Sequence, residues 1–337
     1  MRTRAIVVHA LGGPEVLRWE EVELEDPAPG EARVRHAAVG LNFIDVYFRT
    51  GLYPAGELPF VPGIEAAGVV EALGAGVEEV AVGDRVAYAT RPLGAYSERR
   101  NLPARRLVRL PDAPHAIGDE LAAAVMVKGM TAQYLLRRTF QVEDGHTILV
   151  HAAAGGVGSL LCQWGSYLGA TVIGTVGSEE KAEQARADGC AHPILYRDED
   201  FVARVREIAP GGVHVVYDSV GVDTFEGSLD CLAPMGMMVS FGQSSGPRPA
   251  LELSELARRG SLFLTRPSLM DYVARREDLV ATAAEVFELL ESGVLRCRIG
   301  QRWPLAEAAE AHRALEARRT SGASLLLPQE RSYPVRR

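Results

Sequence analysis

The hexapeptide Ala153-Ala154-Gly155-Gly156-Val157-Gly158 closely follows the apolar run Ile148-Leu149-Val150. A turn this rich in glycine lets backbone N–H groups approach a ligand that side chains would hold off, and a helix starting at its end adds the positive end of its dipole. The chemistry such a turn serves is the binding of a pyrophosphate. Val157, Leu160, Leu161, Trp164 and Leu168 then recur at helical spacing, and Ala170 to Val176 read as a second strand. One helix face is therefore apolar and packs on a sheet. Strand, glycine turn, helix and strand in unbroken order separate a dinucleotide cradle from a flexible surface loop.

The end of that second strand decides which dinucleotide fits. An NAD site places an Asp or Glu there, about 20 residues beyond the first glycine, to hold the ribose 2′-hydroxyl. Here Thr175, Val176, Gly177 and Ser178 stand in its place, with Lys181 in the first turn of the next predicted helix. A 2′-phosphate would meet a hydroxyl, backbone N–H groups and an ammonium, so NADPH is the expected cofactor. Glu179 and Glu180 can point outward and favour the helix dipole. Lys128 and Lys181 are the only lysines among 36 Lys and Arg residues. That scarcity favours a phosphate contact for Lys181 over an ordinary solvated helix charge.

Stepping along the whole chain, 337 residues are comfortable for two domains. No run of 18 or more apolar residues exists, and only two arginines precede the first strand-like segment. Neither a membrane span nor a secretion signal is expected, which points to the cytoplasm. Cys162, Cys190, Cys231 and Cys297 are widely spaced, as reduced packing thiols are, rather than a disulfide framework or a zinc cluster. A net charge of −8 argues against a general nucleic-acid or membrane surface. The runs Arg99-Arg100 and Arg105-Arg106 lack interleaved aromatics and read as solvated faces.

The first 110 residues alternate short strand-like runs (Ala5 to His9, Leu17 to Val22, Arg33 to Val39, Ala67 to Leu73, Arg85 to Tyr88) with Gly and Pro turns. From about Asp119 the pattern becomes helical, then alternates β and α units, with strands near Thr147, Thr171, Pro193, Val213, Met237 and Leu262. Six parallel strands make two mononucleotide-binding halves. A helix over Asp278 to Ser292, a strand near Arg298, a helix from Leu305 to Ala317 and a strand over Ala323 to Leu327 are expected to return to the first domain. The predicted divisions are 1–124 for the β-rich domain, 125–267 for the nucleotide-binding domain, 268–328 for the return and 329–337 for a loosely ordered tail.

Further segments make the chain resemble the medium-chain dehydrogenase/reductase superfamily. Gly74-x-Gly76-Val77 followed by Val82-Gly83-Asp84-Arg85-Val86 is similar to the turn and strand of its GroES-like catalytic domain. Asn42-Phe43-Ile44-Asp45, Tyr47, Gly51-Leu52-Tyr53-Pro54, Lys128-Gly129-Met130-Thr131, Tyr217-Asp218-Ser219-Val220-Gly221, Phe241-Gly242-Gln243-Ser244-Ser245-Gly246 and Thr265-Arg266-Pro267-Ser268 resemble NADPH:quinone oxidoreductases of the zeta-crystallin type. The implied fold is α/β: a GroES-like β-rich catalytic domain plus a doubly wound, six-stranded parallel Rossmann domain. The resemblance places Gly156 and Val157, after Gly155, at the pyrophosphate, and Ser178, Lys181 and Tyr196 at the 2′-phosphate. Asn42 and Thr131 are implied at the nicotinamide, Phe241, Gly242, Gln243 and Ser244 beside its ribose with Ser219 nearby, and Leu264 to Arg266 at the carboxamide. Asp45 is either a cofactor residue or a helix-capping or salt-bridging one. Tyr47 and Tyr53 are either an aromatic wall for a planar acceptor or ordinary core aromatics.

The superfamily's zinc alcohol dehydrogenases carry a Cys in the segment here occupied by Leu41 to Asp45, and a His before the Glu of a Gly-His-Glu motif. This chain has Gly63-Ile64-Glu65, so no metal is expected. The implied activity is reduction of a quinone or other planar electrophile by NADPH in a homodimer joined through Ser261 to Thr265. Two alternatives stand beside it: reduction of the carbon–carbon double bond of enals and enones, and a non-catalytic, nucleotide-bound protein of crystallin-like or RNA-binding role.

Overall fold

A computed structural model describes residues 1–111, 117–247 and 250–328. The expected loose tail, 329–337, lies outside the described residues. In chain order the first elements are β1 (Arg2–Val8), β2 (Leu17–Glu23), β3 (Glu31–Leu41), α1 (Phe43–Thr50), β4 (Glu65–Leu73), β5 (Arg85–Ala89), β6 (Arg99–Pro103), β7 (Val108–Arg109) and α2 (Asp119–Tyr134). The alternating part follows with β8 (Thr147–Val150), α3 (Gly156–Tyr167), β9 (Thr171–Val176), α4 (Glu179–Ala187), β10 (His192–Leu195), α5 (Phe201–Ile208), β11 (Val213–Asp218), α6 (Phe225–Cys231), β12 (Leu232–Ser240), α7 (Leu253–Arg258) and β13 (Phe263–Thr265). The chain closes with α8 (Leu269–Tyr272), α9 (Arg276–Glu291), β14 (Ile299–Pro304), α10 (Ala308–Glu316) and β15 (Ala323–Leu327).

Two compact units result: Met1–Val127 with Arg275–Ala283 and the described part of Cys297–Arg337, and Lys128–Ala274 with Ala284–Arg296. In the first, the sheet order is β14-β15-β3-β4-β5-β7, with β6 also paired to β3 and β1 paired to β2. Its core gathers Ile6, Val34, Val39, Tyr88, Tyr96 and Leu102 with Leu305 and Leu326 from the chain's last strands and helices. The Arg99-Arg100 run is not a solvated face. It lies in β6, where alternation turns Arg100 and Leu102 inward while Arg99 and Asn101 stay half-exposed. The Arg100 guanidinium lies 5.4 Å from the centroid of the Tyr88 ring and donates to the Pro92 carbonyl at 3.0 Å. A buried cation thereby finds an aromatic face and an acceptor.

The second unit is an all-parallel sheet of order β10-β9-β8-β11-β12-β13. Its strands read as continuous apolar runs because helices cover a parallel sheet on both faces; Ile148, Leu149 and Val150 are fully buried. From α3, Leu160, Leu161 and Trp164 face inward as their spacing predicts. Gly165 lets that helix approach closely, since a Cβ there would sit 2.8 Å from Ile148 Cδ1. Strand order reverses between β8 and β11, and ligands of such sheets bind beyond the carboxyl ends of the strands at that switch.

Candidate active site

The turn after β8 is built around carbonyl oxygens that exclude side chains. Ala152 adopts a left-handed φ of 54°, its carbonyl accepts from Gly155 N–H at 2.8 Å, and Ala153 N–H donates to the Thr175 carbonyl at 3.0 Å. A Cβ on Gly158 would lie 2.2 Å from the Ala152 oxygen. Gly155 caps α3 in extended conformation, and Gly156 and Val157, half-buried as it is, carry the opening N–H groups of the helix. That is an anion cradle of the kind a pyrophosphate fills.

One strand over, Ser178 caps α4 and its hydroxyl accepts from the Lys181 backbone N–H at 3.4 Å. Glu179 turns along the helix to Arg186 at 3.0 Å, both side chains exposed. A Cβ on Gly177 would lie 2.9 Å from the Tyr196 hydroxyl, which places that 40% exposed tyrosine beside the end of β9. Gly177, Ser178, Lys181 and Tyr196 are thus gathered at one sheet end, with no carboxylate at the position that would hold a ribose diol.

At the switch point itself, Asp218 is fully buried. Its Oδ1 accepts from the N–H groups of Val220 and Gly221 at 2.7 and 3.0 Å, and its Oδ2 from Thr224 Oγ1 at 2.8 Å and Ser228 Oγ at 3.3 Å. The loop bearing Ser219 is thereby fixed, and it holds its neighbour: Ser244 N–H donates to the Ser219 carbonyl at 3.2 Å, and Phe241 N–H to that of Asp218 at 2.9 Å. Gly242 fits only without a side chain, since a Cβ would meet the Ser219 oxygen at 2.6 Å. Arg266 Nη1 donates to the Ser240 and Gly242 carbonyls at 3.0 and 2.8 Å, so it braces the turn that holds Gln243. Leu264, on the short strand β13, is 38% exposed. Beneath the crevice, buried His151 bridges Thr175 Oγ1 and Ser228 Oγ at 2.9 Å each. Burial lowers its pKa while Asp218 pulls it back up, and the bridge ties the ends of β8, β9 and α6.

In the first unit, Asn42 and Asp45 form a capping box at the start of α1. Asn42 N–H donates to Asp45 Oδ2 at 2.9 Å, and Asn42 Nδ2 donates to Glu65 Oε1 at 2.7 Å. Asp45 is fully buried and also accepts from Tyr96 Oη at 3.0 Å. Tyr96 faces His312 Nε2 at 3.0 Å, and His312 Nδ1 faces Arg49 Nη1 at 2.9 Å. Because a guanidinium only donates, Nδ1 accepts and Nε2–H donates to the Tyr96 oxygen. Burial, with Arg49 beside it, pushes His312 down to about 3. Asp45 therefore caps α1 and ends a buried chain of contacts that anchors it. Along α1, the Tyr47 and Tyr53 rings meet edge to face at 5.0 Å, with Phe43 and Phe48 against them at 5.5 and 6.1 Å. In the second unit, Lys128 and Thr131 are buried on α2.

Residues 28–112 match the model of the alcohol dehydrogenase GroES-like domain and residues 189–324 that of zinc-binding dehydrogenases. The quinone oxidoreductase of Pseudomonas aeruginosa is 54% identical over 95% of this chain and 98% of its own. The Escherichia coli quinone oxidoreductase solved in complex with NADPH superposes with a TM-score of 0.94 at 48% identity, over 96% of this chain and 100% of that one. A 2-haloacrylate reductase of Burkholderia is 48% identical over 96% of this chain and 99% of its own. The chain belongs to the quinone oxidoreductase family of the medium-chain dehydrogenases/reductases. The second model's description names zinc, yet among the described residues no three His, Cys, Asp or Glu side chains come together as a metal site would need.

For this quinone oxidoreductase-family chain, sequence reasoning named candidate cofactor residues and missed the buried groups that hold their loops and helices in place. His151, Asp218 as an acceptor hub and the Arg49–His312 contact carried no local signal. The last spans 263 positions, beyond any periodicity. A buried Glu in an apolar strand, Ile64-Glu65-Ala66-Ala67, was the one visible hint.

Proposed function

We propose that the protein passes reducing equivalents from NADPH to a quinone without a metal. The observation that carries this reading is the carboxylate-free end of β9, where Ser178, Lys181 and Tyr196 gather beside Gly177, on a sheet whose glycine turn leaves room for a pyrophosphate and no Cβ. Gly155, Gly156 and Val157 bind the pyrophosphate, and Ser178, Lys181 and Tyr196 hold the 2′-phosphate. Ser219, Phe241, Gly242, Gln243 and Ser244 line the nicotinamide ribose, while Leu264 and Arg266 set the carboxamide side. Asn42 and Thr131 orient the reducing end, and Asp45 keeps Asn42 in place. Tyr47 and Tyr53 form the aromatic wall for a planar acceptor. The nicotinamide supplies the reducing equivalents when bound, and the protein holds it against the acceptor and excludes water. A quinone is already electrophilic, so hydroxyl and amide groups suffice without a charged acid.

The same reading takes residues 125–267 as a nucleotide-binding domain inserted in a catalytic domain of 1–124 and 268–328, kin to the zeta-crystallin type. Phe263 and Leu264, 57% and 38% exposed on the edge strand β13, support a homodimer built by joining two sheets. The four free thiols fit the reducing cytoplasm; the net charge of −8 disfavours nucleic acid as a partner. Among the described residues no helix is long and apolar enough to cross a membrane. The similarity to a 2-haloacrylate reductase supports double-bond reduction as a second reading. The test is NADPH oxidation with phenanthrenequinone beside an α,β-unsaturated ketone. Higher kcat/KM on the quinone is expected. Higher efficiency on the enone moves the assignment to the second reading, and turnover of neither abandons both.

A further inference from the structure

Resting on the NADPH reading, we infer that Glu65 is a positioning residue for the reducing end of the cofactor, acting on Asn42 and on α2 together. Glu65 opens β4 and is fully buried. Its two oxygens face different elements: Oε1 accepts from Asn42 Nδ2 at 2.7 Å, and Oε2 from the backbone N–H of Val127 at 2.6 Å. Both are at the short end of the range, as bonds to a carboxylate are. The neighbouring strand is cut back to admit the group, since a Cβ on Gly40 would lie 2.1 Å from Oε1 and 2.4 Å from Cδ. A carboxylate in such a place is strongly unfavourable unless its acceptors are used, and an apolar side chain would fill the space without that cost. What the carboxylate adds is direction.

A carboxylate only accepts. The Asn42 amide must therefore turn its nitrogen to Glu65, which sets the sense of the whole amide: its oxygen takes the Asp45 N–H of the capping box and keeps a second lone pair suited to a donor such as a ribose hydroxyl or a carboxamide N–H. The second bond reaches the middle of α2, Asp119–Tyr134. One turn beyond Val127 on the same helical face stands Thr131. One buried group thus registers two of the residues assigned to the nicotinamide, one on a loop and one on a helix, which is the preorganisation that positioning needs.

The test uses Glu65→Gln in the full chain. The new amide can still accept from Val127 but opposes a donor to the Asn42 nitrogen, so Asn42 either turns over or loses its partner. Affinities for NADPH and for adenosine 2′,5′-bisphosphate, which lacks the nicotinamide end, are measured by titration, with KM and kcat on phenanthrenequinone. NADPH binding is expected to weaken about tenfold to a hundredfold, with the bisphosphate unchanged and the loss appearing in the KM for NADPH rather than for the quinone. The double variant Asn42→Asp with Glu65→Gln restores a donor–acceptor pair in the opposite sense and is expected to recover most of the loss. Unchanged NADPH affinity in Glu65→Gln, equal loss of both ligands, or a double variant no better than the single one each overturns the proposal. Should Glu65→Gln fail to fold, Asn42→Asp alone sets two carboxylates face to face, and the same selective loss of NADPH is required of it. A wild-type protein that binds NADPH and reduces no quinone would remove the quinone assignment and leave Glu65 its role; one that binds no NADPH removes both.

Discussion

Lys181 offers the cleanest separation of ligand binding from stability. It is the third residue of α4, behind the Ser178 cap, where the partial positive charge of the helix start opposes a cation by about 0.3–1 kcal/mol. Replacing it by Ala removes that opposition and adds the best helix former, while the Ser178 hydroxyl still accepts the backbone N–H of position 181. The fold should therefore change by no more than a few tenths of a kcal/mol in either direction. Binding moves the other way. One charge-assisted hydrogen bond to a 2′-phosphate is worth about 1.5–3 kcal/mol, so the Kd for NADPH should rise roughly tenfold to a hundredfold, whereas NADH, which has no such phosphate, should bind as before. Titrations with both coenzymes at low and high salt, beside thermal melts, read all three quantities. The difference should shrink as salt screens the half-exposed ammonium. Equal losses for the two coenzymes, or a melting temperature several degrees lower, would mean that Lys181 works through packing and that the phosphate assignment is wrong.

Three further outcomes follow from the same geometry. Burial pushes His36 and His312 down to about 3 from 6.5; the unfolded chain then binds more protons in that window, so stability is full above about pH 6.5 and falls by about 1.4 kcal/mol per pH unit per histidine below it. Urea unfolding at pH 7 and pH 5 should differ by roughly 4 kcal/mol from this pair, and His312→Gln should halve that slope; a flat profile would contradict the buried neutral rings. Gly158→Ala drives a methyl to 2.2 Å from the Ala152 carbonyl and should lower stability by about 1–3 kcal/mol and weaken NADPH, which denaturation and titration check; a silent substitution would show that the turn has slack. Phe263→Lys on the exposed edge of β13 should turn the proposed dimer into a monomer in light scattering, and an unchanged mass would overturn that interface.

The nucleotide-binding sheet was legible because its signals are local. Ile148-Leu149-Val150 is a short apolar run, the glycines follow at once, and Leu160, Leu161 and Trp164 fall on one face of the helix that comes next. In the first unit β6 was overlooked because Arg99-Arg100-Asn101 has the composition of a surface, and its alternation is visible only once β3 lies beside it. In the proposed site, the glycine turn and the residues after β9 were read from their types at the ends of strands, and the others came from the family resemblance. Their supports were not legible. Glu65 and Asn42 are 23 positions apart, Arg49 and Glu316 267, and nothing in either residue's neighbours announces a partner that folding alone supplies.

Lysine scarcity has a practical side. Lys128 is only 5% exposed, so an amine-directed reagent at moderate pH meets little besides Lys181 and the chain's own amino end. A fluorophore on Lys181 would sit at the start of α4, beside the phosphate site proposed above, without any engineered cysteine, and protection of that amine by coenzyme would report occupancy directly.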